Sequence, residues 1–133
     1  LPPERKTAQR LAEPGGNVDA ERFFTDVLSP LSRGETVHYR PYHCHSNALG
    51  EEIAVPPAPL AVVEGVYSLR PELQPYYHVK CFLDVPWSTR RARLLGRNGP
   101  EDLERFEKLW IPLEDAYFRA FPIRECCDVI LQG

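Results

Sequence analysis

Three groups of side chains stand where they could do chemistry. They are acids at the ends of apolar runs, arginines at helical spacing, and a tract of tyrosines and histidines. Glu64 ends the run Leu60-Ala-Val-Val and is followed directly by Gly65. The carboxyl ends of strands in an open parallel sheet are where ligands sit. An acid there, with no side chain beside it, suits a metal–phosphate group or a substrate; the alternative is a solvated acid at a strand end. Asp84 repeats the pattern after Val79-Lys-Cys-Phe-Leu. Asp19 follows the loop signal Pro14-Gly15-Gly16 and fits a helix N-cap, which is the simpler of its two readings. The sharper reading is a carboxylate held beside a Gly-rich turn to accept from ligand hydroxyls. Arg90, Arg93 and Arg97 fall at i, i+3 and i+7, one face of a helix, with Arg91 off it. Such a stripe either faces water or awaits an anion, because the guanidinium fork fits phosphate oxygens.

The tract His38, Tyr39, Tyr42, His43, Cys44, His45 offers flat faces for stacking and hydroxyls for orientation. It also invites a metal reading. Neighbouring strand residues point to opposite faces, so His43 and His45 share a face that Cys44 does not. With no second cluster in the chain, a ligand-stacking or ordinary polar hairpin is preferred to a structural zinc site.

The elements that must position these groups follow from pattern. Behind Asp19, Ala20, Phe23, Phe24, Val27, Leu28 and Leu31 fall at helical spacing, and Pro30 predicts a stop near Leu28 or Ser29. Residues 36–55 read as a hairpin, turning at Asn47-Ala-Leu-Gly50, with Pro41 keeping its first arm at an edge or outside the main sheet. Pro56-Pro-Ala-Pro59 leads into a buried strand at 60–64. A helical turn from about Pro71 and a second buried strand at 79–85 predict a parallel pair with it. Ser88 caps the arginine helix, and Gly96 and Asn98-Gly99-Pro100 loosen its end. Leu103, Phe106, Trp110, Leu113, Tyr117 and Phe121 form an apolar core stripe. Pro112 predicts a kink, or a second helix with Pro112 in its first turn. Asp128-Val-Ile-Leu131 is a third short strand.

The chain of 133 residues suffices for one domain. A net charge of -3 argues against general nucleic-acid affinity, and no apolar run is long enough for a membrane span. The first residues, Leu-Pro-Pro-Glu-Arg-Lys, do not read as a signal peptide, and the lack of any Met suggests a fragment or trimmed segment. Cys44, Cys81, Cys126 and Cys127 show no CxxC spacing and read as reduced, mostly buried thiols of a cytosolic protein.

Taken in order, Asn17-Val-Asp19, the hairpin from Tyr39 to His45, Val63-Glu-Gly65, Phe82-Leu-Asp84 and the arginine helix resemble the uridine kinase-like branch of the P-loop nucleoside kinases, especially bacterial members known as uridine kinases. The runs Glu13-Pro-Gly-Gly-Asn-Val-Asp19, Val63-Glu-Gly-Val-Tyr-Ser68 and Trp110-Ile-Pro-Leu-Glu114 are similar to that family in text and order, and the resemblance covers essentially the whole chain. It implies an α/β fold: a three-layer P-loop NTPase-type parallel sheet with helices on both faces, truncated at the N-terminus, plus a β-hairpin and a helical lid. Residues 1–133 would then be one partial nucleoside-kinase domain, with the acceptor hairpin at about 36–55 and the lid at about 88–100. The implied activity is transfer of the ATP γ-phosphate to the 5′-hydroxyl of a nucleoside such as uridine. The implied cofactors are ATP and Mg2+, the partners are small molecules with neither nucleic acid nor membrane, a homo-oligomer is compatible, and the location is cytoplasmic. Residue by residue, Asp19 matches the acid on the ribose hydroxyls and Tyr39 the hairpin aromatic on the base. His45 matches the hairpin histidine when one residue is inserted. Glu64 matches the acid near magnesium, in contact directly or through water. Arg93 and Arg97 match lid arginines around the transferring phosphate.

The departure from the family is as informative. No GxxxxGK[ST] is present, nor the Asp-Asp-Phe-Phe segment that carries the catalytic base. In the family both lie just upstream of the position of Leu1. The expectation is a chain that keeps the acceptor pocket and lid, does not turn over by itself, and leaves two buried strand edges unpaired at 60–64 and 79–85. Two alternatives stand beside this one: a non-catalytic nucleotide-binding module, and a kinase for another small acceptor such as pantothenate or ribulose phosphate.

Overall fold

The structure, a computed structural model, describes residues 5–44 and 46–133. By its contacts the chain falls into two units, Leu1–Ser68 and Leu69–Gly133.

In the first unit a short helix not expected from the sequence, α1 (Ala8–Ala12), is capped by the Thr7 hydroxyl, which accepts from the Arg10 N–H at 3.2 Å. Asp19 caps the next helix as its position predicts. That helix runs further than Pro30 suggested, through α2 (Ala20–Phe23), a π-helical turn (Phe24–Leu28) and α3 (Ser29–Ser32). The wider π turn is the physical reason. The Ser29 N–H reaches back to the Phe24 carbonyl, and Pro30 then falls in the first turn of α3, where its missing N–H needs no partner. Gly34, at φ 69°, ends the helix in the left-handed conformation that glycine adopts without strain.

The hairpin over 36–55 is present as two antiparallel ladders. β1 (Val37–Tyr39) pairs with β4 (Ile53–Val55), and β2 (Tyr42–His43) pairs with β3 (Ala48–Leu49). The break falls at Pro41, which has no N–H to donate. Arg40 spans it, with Nε donating to the Gly50 carbonyl at 2.7 Å. β1 packs against the π turn, and the core of this unit is Ala20, Leu28 and Val37.

The expected three-layer parallel sheet is not formed among the described residues. There are three sheets of two strands each, and a single parallel pair. Leu60–Glu64 is not a buried strand: it has no ladder partner, and Leu60 and Val62 are 77% and 81% exposed. Apolar, β-branched composition gives a segment an affinity for a sheet, but the backbone becomes a strand only where a neighbour supplies the hydrogen bonds. The parallel pair expected between 60–64 and 79–85 is instead formed in the second unit, by β5 (Cys81–Asp84) and β6 (Val129–Gln132), in register from Cys81 opposite Val129 to Asp84 opposite Gln132. The long helical connection between them returns the chain in the direction a parallel pair requires.

β5 is also not the doubly buried strand its run of apolar residues suggested. Phe82 turns to Phe118, ring edge to face at 5.7 Å, while Leu83 on the opposite face is 59% exposed. Cys44, Cys81 and Cys126 are exposed and Cys127 half-buried, so the thiols are free but not mostly buried.

In the same unit α4 (Trp87–Arg105) begins one residue before Ser88, which therefore does not cap it. Gly99, at φ 82° and ψ 175°, breaks α4, and Pro100 starts its second segment. A π-helical turn (Phe106–Trp110) leads to α5 (Ile111–Ala120), with Pro112 in its first turn as expected. Of the predicted stripe, Leu103 and Tyr117 are fully core, joined there by Leu73 and Ile123. Tyr117 is wholly buried, with the rings of Phe118 and Phe121 edge-on at 5.2 and 5.5 Å.

Candidate functional site

The head of α2 gathers five charged side chains within a few ångströms. Asp19 Oδ1 accepts from the Arg22 backbone N–H at 3.3 Å, which is the cap. Arg5 Nη1 donates to both Asp19 oxygens, at 2.9 and 2.8 Å. Arg22 Nε lies 3.8 Å from Oδ2, and the Asp19 side chain is only 9% exposed. Arg10 clamps the loop before it: Nε donates to the Gly16 carbonyl at 3.1 Å, Nη2 to the Val18 carbonyl at 3.2 Å, and Nη2 to Glu21 at 2.7 Å. The loop lies close against α1, and a Cβ at Gly16 would overlap the Arg10 carbonyl oxygen. The Arg10 bond, with Arg5 nearby, holds the Glu21 carboxyl down at about 2. Asn17 Oδ1 is buried among these groups without a hydrogen-bond partner.

Arg22 joins this cluster to the hairpin. Its backbone N–H meets Asp19, and its Nη1 donates to the Arg40 carbonyl at 2.8 Å, one residue beyond Tyr39. Tyr39 stands half-buried on β1 opposite Ile53. Arg22 thus ties the acid to the backbone of the residue that follows the aromatic. The hairpin beyond is braced by Tyr42, whose hydroxyl donates to Asn47 at 3.0 Å, and by the His43 ring, which fills the space over Gly50. His45 lies outside the described residues.

Glu64 is an exposed acid in irregular chain, not at the tip of a buried strand as expected. The described residues contain no group of three histidines, cysteines or acids able to hold a metal. Mg2+ is held through one or two carboxylates together with substrate phosphates, so Glu64 would supply one ligand and not a cage.

The arginine stripe lies in the second unit, and its members differ in role. Arg90 turns inward, its guanidinium over the Trp87 ring at 5.3 Å and Nη1 3.4 Å from Glu114 Oε2, with Nε buried and unpartnered. Burial pushes the Glu114 carboxyl up, against the pull of Arg90. Arg91 Nε donates to Glu107 at 2.7 Å. These two contacts hold the first segment of α4 against the helical stretch that follows Gly99. Arg93 is exposed and without an ion-pair partner among the described residues, and Arg97 Nε donates only to the adjacent Asn98, at 2.8 Å. Arg93 and Arg97 keep exposed guanidinium donors, whereas the Arg90 guanidinium is partly engaged by Trp87 and Glu114.

Sequence reading missed Arg5, Arg10, Glu21 and Arg22. Two of them left a signal: an arginine three residues after a capping acid, and an acid in the first helical turn. Arg5 and Arg10 left none, since their partners are reached across a loop. No protein-family model matches the chain.

Proposed function

We propose that these 133 residues are the acceptor-binding and lid portion of a kinase that transfers the ATP γ-phosphate to the 5′-hydroxyl of a nucleoside such as uridine. The observation that carries the reading is the order of motifs along the sequence, above all Asn17-Val-Asp19 followed by the aromatic hairpin. The Arg22 bridge supports it by tying a largely buried carboxylate to the strand that carries Tyr39. In this role Asp19 accepts from the sugar hydroxyls, Tyr39 offers a ring face to the base, and Arg93 and Arg97 supply donors to phosphate oxygens.

A donor site is not complete within these residues. They hold no Gly-rich phosphate cradle ending in Lys-Ser or Lys-Thr, and Glu64 alone does not make a magnesium site. The chain's own part is to bind and orient the acceptor and to bring positive charge on the lid. The test is uridine binding followed by calorimetry, with Asp19→Asn and Tyr39→Ala. Each substitution should weaken binding by about tenfold or more, the effect of losing a charged hydrogen-bond acceptor or a stacking ring. Unchanged affinity in both variants would reject the nucleoside reading.

A further inference from the structure

The Asp19 carboxylate has little left to offer a ligand. A carboxylate has about four lone-pair sites. One accepts from the Arg22 N–H, and Arg5 Nη1 takes one on each oxygen. A single nitrogen of Arg5 thereby bridges both oxygens and occupies a lone pair on each, which hydroxyls of a sugar would also seek. Donors aimed at the same lone pairs compete. We infer that Arg5 is a displaceable plug on Asp19, so that an acceptor bearing a vicinal diol binds by exchanging with its guanidinium. The inference rests on the reading of Asp19 as an acceptor contact.

The geometry marks Arg5 as the group that leaves. Its side chain is 41% exposed and reaches Asp19 from fourteen residues away. Glu21, 61% exposed, lies 3.6 Å from its other terminal nitrogen and keeps it paired when it swings off. Arg22 has no such freedom, because its bond to Asp19 Oδ1 comes from a backbone N–H fixed by the helix. The contact also pairs a hydrated cation with a shielded anion, so salt favours its release.

Uridine, a neutral probe, is titrated into the full chain, the Arg5→Ala variant and the Asp19→Asn variant, at about 0.05 M and about 0.5 M salt. Arg5→Ala should bind about threefold to fivefold tighter than the parent, the range an exposed ion pair supports. Parent affinity should rise with salt, that of Arg5→Ala should not, and Asp19→Asn should lose binding. If Arg5→Ala binds no tighter while Asp19→Asn still loses uridine, the plug is refuted and the acceptor reading stands. Binding that ignores Asp19→Asn overturns both. Should Arg5→Ala fail to fold, the parent decides alone: affinity rising with salt supports the plug, and flat or falling affinity refutes it.

Discussion

Replacing Arg10 with alanine removes the clamp on the loop that presents Asp19. Two of its three contacts are charge-assisted hydrogen bonds to part-buried backbone carbonyls, of Gly16 and Val18. Bonds of this type contribute about 1.5–3 kcal/mol each, and a carbonyl left without a donor adds a desolvation cost. The third contact, to Glu21, is worth about 1 kcal/mol or less, because solvent screens a carboxylate that is 61% exposed. Arg10→Ala should therefore destabilise the first unit by about 3–6 kcal/mol. A unit of this length has roughly 3–10 kcal/mol in all, so the midpoint should drop by at least about 12 °C. Chemical denaturation of parent, Arg10→Ala, Glu21→Gln and the double variant separates the pair from the clamp. Acid gives a second reading. The Glu21 carboxyl is held at about 2, below its ordinary 4.5. Its contribution is complete above about pH 4.5 and is lost as pH falls toward 2, a loss absent from Glu21→Gln. An Arg10→Ala variant within about 1 kcal/mol of the parent would refute the view that backbone carbonyls, rather than the ion pair, are what Arg10 holds.

Two further outcomes concern the second unit. Tyr117→Ala empties the centre of the aromatic cluster and should cost about 3–5 kcal/mol in denaturant titration, whereas uridine binding by the first unit's Asp19 should be unchanged in whatever fraction stays folded. Tyr77 has a buried hydroxyl without a hydrogen-bond partner, and burial pushes its phenol up to about 12. Tyr77→Phe should be neutral or stabilising by up to about 1 kcal/mol. The unfolded chain ionises this phenol near pH 10 and the folded one only near 12, so alkali should erode parent stability across that window and the variant's less, as read from melting at each pH.

What the sequence made legible was local. Asp19 as a cap, the helix behind it, the hairpin at 36–55, the helix restarting at Pro112 and the strands near 81–84 and 129–132 are dictated by a few adjacent residues. Pairing was not, because it is decided by residues far apart in the chain. The same β-branched composition that made Leu60–Glu64 look like a strand leaves it exposed where no ladder is offered, and β5 finds its parallel neighbour in β6 instead. Spacing placed Arg90, Arg93 and Arg97 on one stripe, yet Trp87 and Glu114 draw Arg90 inward. Periodicity locates a side chain on an element; it does not say what the next element brings to it.

The same distinction bears on Asp19. A capping acid needs one lone pair for the helix and leaves the others to whatever else arrives. Here two of the others are taken by an arginine from before α1, while a second arginine, from within α1, fixes the loop on which the acid stands. Neither could be read as functional from its neighbours in sequence. Together they change what the acid can do: Arg10 sets where the carboxylate points, and Arg5 sets the competition a hydroxyl must win to reach it. Affinity at such a site is a difference between two occupants of the same lone pairs. Substitutions at Arg5 and Asp19 should therefore move it in opposite directions, which a purely structural cap would not do.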